Sequence, residues 1–118
     1  MSAVKEKKSN KTKSREEFDS STYLYWLKSM LLMRRFEEMA GRLYGQQKIR
    51  GFCHLYIGQE AIIAGYETSL GKGDSVITTY RDHCQPIGRG ADPKIIMAEL
   101  FGKTSGISKG RGLSLIHI

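Results

Sequence analysis

Cysteine, proline and long apolar runs are all scarce in this chain of 118 residues, and each scarcity removes a class of explanation. Its two cysteines, Cys53 and Cys84, are too few for a disulfide framework, and their spacing matches neither a zinc pair nor a CxxC redox site. A reduced, intracellular chain is therefore expected. Only two prolines, with 40% hydrophobic residues, give no ground for reading the whole chain as disordered. No stretch approaches the roughly 18 apolar residues that a membrane span needs. Three histidines, at positions 54, 83 and 117, fit neither zincin nor zinc-finger spacing, so no metal site is expected from them.

Acidic residues are also few, 12 against 19 Lys and Arg, which gives a formal charge of +7. Residues 1–15 hold six basic side chains against Glu6 alone, but Glu16, Glu17 and Asp19 bring the first 19 residues back to +2, and the remaining 99 carry +5. Residues 1–18 bury almost nothing and read as a disordered basic tail. They lack the apolar run of a secretory signal, and Glu6, Glu16 and Glu17 are at odds with a mitochondrial transit peptide, so a bacterial cytoplasmic chain is expected. A small nucleic-acid-binding protein is a competing class on charge alone. It is set aside because the remainder has no basic stripe interleaved with aromatics.

What is present begins with a helix, predicted over about 22–47, with Asp19, Ser20 or Ser21 as its cap. Leu32, Phe36, Met39 and Leu43 recur at spacings of four, three and four and predict its buried face. Glu38 and Arg42 should pair one turn apart on the other side. The first half, from Tyr23 to Leu31, is apolar nearly all round and is expected to pack against other parts of a larger protein. An irregular connection with Gly51 and Gly58 leads to a second helix from Gln59 to about Ser69. Gly71 to Asp74 reads as a turn and Ser75 to Thr79 as a short strand, rich in β-branched side chains. A short helix should end around Gly88 and Gly90. Another starts at Asp92 as cap and Pro93 as first helical residue, and residues 103–112 form a Gly-rich loop. The last six residues, 113–118, alternate weakly, as a strand would.

Chemistry-competent residues fall in two groups: His54 with Gln59 and Glu60, and Tyr80 with Arg81, Asp82 and His83. The second follows the predicted strand, where ligands of open α/β sheets bind. Arg81 could hold phosphate or carboxylate oxygens, with Tyr80 adding a hydroxyl, but a structural ion pair or a solvated arginine fits its residue type better. His54 could move a proton near neutral pH or be a satisfied structural histidine. The glycines around Lys109 form neither a P-loop nor a dinucleotide fingerprint.

Four ordered segments nevertheless carry a resemblance: Ile49 to Ala61 (IRGFCHLYIGQEA), Thr79 to His83 (TYRDH), Asp92 to Leu100, and Ser108 to Gly112 (SKGRG). From about residue 23 to 112 the chain resembles the alpha subunits of thiamine-diphosphate-dependent 2-oxo acid dehydrogenases of the heterodimeric E1 type. The resemblance implies an α/β thiamine-diphosphate-binding fold, here an incomplete parallel sheet flanked by helices, behind a long first helix. It implies that residues 19–112 are the amino-terminal part of such a domain and that 113–118 are an aberrant end. There the family's histidine-containing continuation is not matched by His117.

By the same resemblance, Tyr80 and Arg81 hold the diphosphate of thiamine diphosphate, Phe52 lines the cofactor cavity, and His54 and His83 are catalytic. Lys109 lies in a loop leading towards the cofactor channel. Cys84 stands where the family usually has a small residue. Magnesium is implied as a second cofactor, with its ligands expected beyond this chain. The implied reaction is decarboxylation of pyruvate, with acetyl transfer to the lipoyl domain of an E2 core, in partnership with an E1 beta subunit. Neither nucleic acid nor membrane is an expected partner. Acetoin and branched-chain 2-oxo acid enzymes share the Tyr-Arg pair and stay open as alternatives, as does an inactive truncated product.

Overall fold

The computed structural model describes residues 17–112. The basic run of residues 1–16, the weakly alternating 113–118 and His117 lie outside the described residues, so the expectations placed on them are not tested. Four helices follow one another: α1 (Ser20–Gly45), α2 (Glu60–Glu67), α3 (Cys84–Gly88) and α4 (Pro93–Leu100).

The start of α1 is set by Asp19, whose carboxylate accepts the Thr22 N–H at 3.1 Å and so satisfies one of the free donors of the first turn. Phe18 closes over this end, its ring meeting Trp26 edge-on at 4.9 Å and Tyr23 at 6.3 Å. Gln47, in a left-handed conformation at φ 59°, ends the helix, and Lys48 N–H returns to Leu43 C=O at 3.0 Å.

The buried stripe of α1 is Met33, Phe36, Glu37 and Ala40, rotated from the face predicted by the leucines. Phe36 belongs to both sets, whereas Leu32 and Met39 are exposed. The rotation follows from what packs on the helix. Arg34 pairs with Glu60 of α2 at 2.6 Å, while Cys84 and Ile87 of α3 complete the core against the Met33 side. Glu38 pairs with Arg35 at 2.9 Å instead of with Arg42.

Helices α2, α3 and α4 add Ile63, Ala64, Cys84, Ile87, Ile96 and Leu100 to the core, and the connection before α2 adds Ile49 and Tyr56. Complete burial of a side chain such as Ile63 or Ile96 contributes about 1.5–3 kcal/mol. Tyr66 on α2 donates to Gln85 on α3, and Arg89 bonds to both Glu67 at 3.3 Å and Asp74 C=O at 3.0 Å, tying the turn at Gly71 to α3. Asp92 caps α4 by accepting Lys94 N–H at 2.9 Å, with Pro93 at the first helical position.

The α/β architecture implied by the sequence is corrected here. Among the described residues there is no strand and no sheet. Residues 75–79 carry the expected β-branched side chains, but Ile77 is 99% exposed and nothing pairs with the segment. β-Propensity expresses packing and cross-strand pairing more than a backbone preference. A lone run with no neighbouring strand has no ladder to enter.

Candidate functional site

Four of the five expected site residues converge, from two segments 26 residues apart. Phe52 and His54 stand in the irregular connection between α1 and α2, and Tyr80 and Arg81 precede α3. The Phe52 and His54 rings stack at 6.3 Å and 12°, and His54 meets the Tyr80 ring at 4.6 Å and 65°. The Arg81 guanidinium carbon lies 5.6 Å from the Tyr80 ring centroid, a cation–π distance. Arg81 Nη1 donates to Leu55 C=O, which binds the second segment to the first.

The cluster is open to solvent on its outer side. Phe52 is 71% and Tyr80 54% exposed, whereas Arg81 and His54 are half-buried. A guanidinium carries five N–H donors, and the bond to Leu55 uses one nitrogen. The remaining fork and the Tyr80 hydroxyl form a donor set suited to anionic oxygens.

His83 is placed elsewhere. It is 3% exposed, and its Nδ1 faces Glu37 of α1 at 3.1 and 3.3 Å from the two carboxylate oxygens. Cys84 Sγ donates to the same carboxylate at 3.4 Å. Burial first, then the charge of Glu37, pushes the Cys84 thiol far up. Cys53 rises to about 11 for the same two reasons in the same order. Asp82, between the two groups, is raised chiefly by burial.

Glu60, grouped with His54 on sequence grounds, is committed to structure. It accepts from Arg34 at 2.6 and 3.1 Å and from Gly58 N–H, and the Arg34 bond holds its carboxyl below the usual range. Lys109 lies in a loop closed by Glu99, whose carboxylate accepts the N–H groups of Ser108, Gly110 and Gly112 at 2.8–2.9 Å. The sequence reading missed both Glu37 and Glu99. Glu99 had a signal, an acid beside Leu100 just ahead of a glycine-rich loop; Glu37 had none, since the stripe predicted for α1 was Leu32, Phe36, Met39 and Leu43.

Residues 28–117 match the family described as dehydrogenase E1 component. This chain belongs to that family. It is 56% identical over 93 residues to the pyruvate dehydrogenase E1 component subunit alpha of Rickettsia felis, covering 79% of this chain and 28% of that protein. The protein of the same name from Zymomonas mobilis is 54% identical over 98 residues, covering 82% and 28%. A mitochondrial alpha-1 subunit of Arabidopsis thaliana is 48% identical over 99 residues, covering 84% and 25%.

The chain thus spans about 28% of the length of its bacterial E1 relatives. Every residue of the Phe52–His54–Tyr80–Arg81 cluster lies inside the E1 match. Among the described residues no three His, Cys, Asp or Glu side chains gather as a cluster that could hold a metal ion. No helix among them is long and apolar enough to cross a membrane.

Proposed function

We propose that this chain supplies the diphosphate-holding arm of a thiamine diphosphate site in the alpha subunit of a pyruvate dehydrogenase E1 component. The observation that carries the reading is the convergence of Phe52, His54, Tyr80 and Arg81 on one open face. Arg81 has spare donors directed by its bond to Leu55, and Tyr80 adds an exposed hydroxyl, so the residues fit an anionic diphosphate.

Thiamine diphosphate, when bound, supplies the electron sink for decarboxylation of a 2-oxo acid. This chain's own residues bind and orient. Arg81 and Tyr80 hold the anionic end, and fixing that end is what allows the reactive end to meet substrate productively. His54, in ring contact with Tyr80, holds or moves a proton at a ring nitrogen, and Phe52, stacked beside it, lines the site. His83 acts from the buried side, through Glu37 and the backbone leading to Arg81. Pyruvate as substrate is taken from the names of the bacterial relatives, and an E1 beta subunit and an E2 lipoyl domain as partners and a bacterial cytoplasmic setting are parts of the same proposal. Magnesium ligands are not drawn from the described residues.

The decisive experiment is made on the full-length subunit assembled with its beta partner. Arg81→Ala is expected to raise the dissociation constant for thiamine diphosphate by about 10–100-fold, the worth of a charge-assisted hydrogen bond. An unchanged constant removes the reading. Turnover of pyruvate in preference to acetoin or branched-chain 2-oxo acids is expected from the same assembly, and the reverse preference reassigns the substrate.

A further inference from the structure

The Tyr80–Arg81 pair needs an anchor, and the stretch before it supplies little. Residues 75–80 are exposed throughout and pair with no strand. Behind the pair, His83 and Cys84 are both buried and both bond to one carboxylate, that of Glu37, at 3.1 and 3.4 Å. Glu37 itself is 0% exposed and lies on α1, 46 residues ahead of His83. Burying a carboxylate is costly even when it is paired, and an apolar side chain could fill the same place, so packing alone does not account for an acid here.

We propose that Glu37 is a positioning residue for Tyr80 and Arg81, holding His83 and Cys84 to α1 so that the donor pair faces His54 and Phe52. The proposal rests on the diphosphate reading given above. Two pins then flank the pair's backbone. Arg81 reaches Leu55 C=O on one side, and two residues later the His83 Nδ1–H reaches Glu37 on the other. Residues 81 and 83 are at most about 7 Å apart along an extended chain, so a shift of His83 is passed directly to Arg81. Shortening the acid by one methylene draws His83 inward, whereas exchanging the acid for its amide keeps both length and an acceptor oxygen.

The test measures thiamine diphosphate binding, with magnesium present, to the full-length subunit assembled with its beta partner, together with the melting temperature of each variant without cofactor. Glu37→Asp is expected to raise the dissociation constant by about 10-fold, in line with the sensitivity of positioned groups to displacements near 1 Å. Glu37→Gln is expected to stay within about 3-fold of the wild type, since it preserves the pin. Lower melting temperatures in both variants with unchanged constants, while Arg81→Ala still weakens binding, give Glu37 a purely structural role and overturn the proposal. If Arg81→Ala also binds as the wild type does, the diphosphate reading falls, and positioning falls with it. Should Glu37→Asp fail to assemble, His83→Ala removes the same contact from the other side, whereas His83→Asn keeps an N–H donor where Nδ1 stood: a constant raised by alanine but not by asparagine supports the proposal, and one unchanged by alanine overturns it.

Discussion

Acidic side chains in this protein differ by what surrounds them, and their differences are measurable. Arg34 holds the Glu60 carboxyl below its ordinary value of 4.5. A carboxylate lowered in the folded state contributes stability that is present above its unfolded pKa and is lost as pH falls through the folded value. Thermal melts between pH 6 and pH 3 are therefore expected to show a wild-type advantage over Glu60→Gln that shrinks below about pH 4.5. An advantage constant across that range would contradict the ion pair. The two thiols make a second prediction. Cys84 is fully buried and Cys53 is pushed up to about 11, so a thiol reagent at pH 8 should label Cys53 slowly and Cys84 only after unfolding. Rapid labelling of both in native protein would contradict this placement. Residues 54, 80 and 81 were legible as chemistry in the sequence because each carries a group able to bond an anion or move a proton, whereas Phe52 entered only through the resemblance. The carboxylate of Glu37 was not legible, because nothing local reports that a helical acid faces inward until α3 is laid against it.

At the scale of elements, packing is tightest where glycine stands at a crossing. A Cβ on Gly88 would come within 2.3 Å of Ile63 Cγ2, where α3 meets α2. Gly88→Ala is expected to lower stability by about 1–3 kcal/mol, the usual cost of overpacking, read as a drop in melting temperature. Gly65, with nothing within 4 Å, is the control and should tolerate alanine. In the loop after α4, Gly110 sits at φ 74° with its Cβ position 2.6 Å from the Gly102 backbone, so a side chain there must open the turn that Glu99 closes. The helices themselves were largely legible. Asp19 and Asp92 cap as expected, Pro93 opens α4, and α2 and α3 fall close to their predicted bounds. The element that failed was the strand at 75–79. Its β-branched run states a preference, but a strand exists only through hydrogen bonds to another, and none lies beside it among the described residues.

For the whole molecule, the exposed apolar side chains along the first half of α1, among them Leu24, Leu27, Leu31 and Tyr25, are too many for an isolated surface to carry without consequence. This chain alone is expected to self-associate with rising concentration in sedimentation velocity; a monomer at all concentrations would contradict that. Carbon dioxide release from pyruvate, with thiamine diphosphate and magnesium added, is expected to be undetectable for the chain alone, since it spans about 28% of its bacterial relatives' length; measurable release would contradict that. By itself the sequence determined the E1 family, the order and caps of the helices, and the residue types able to hold an anion. Those are local or pattern properties, carried by motifs, capping chemistry and period. The tertiary structure alone decided that α1 buries Met33 and Glu37 in place of Leu32 and Met39, that no sheet forms among residues 17–112, and that residues 52–54 and 80–81 meet while His83 turns to Glu37. Each of these depends on contacts between segments far apart in the chain, and such contacts select among alternatives that local propensity leaves nearly equal in energy.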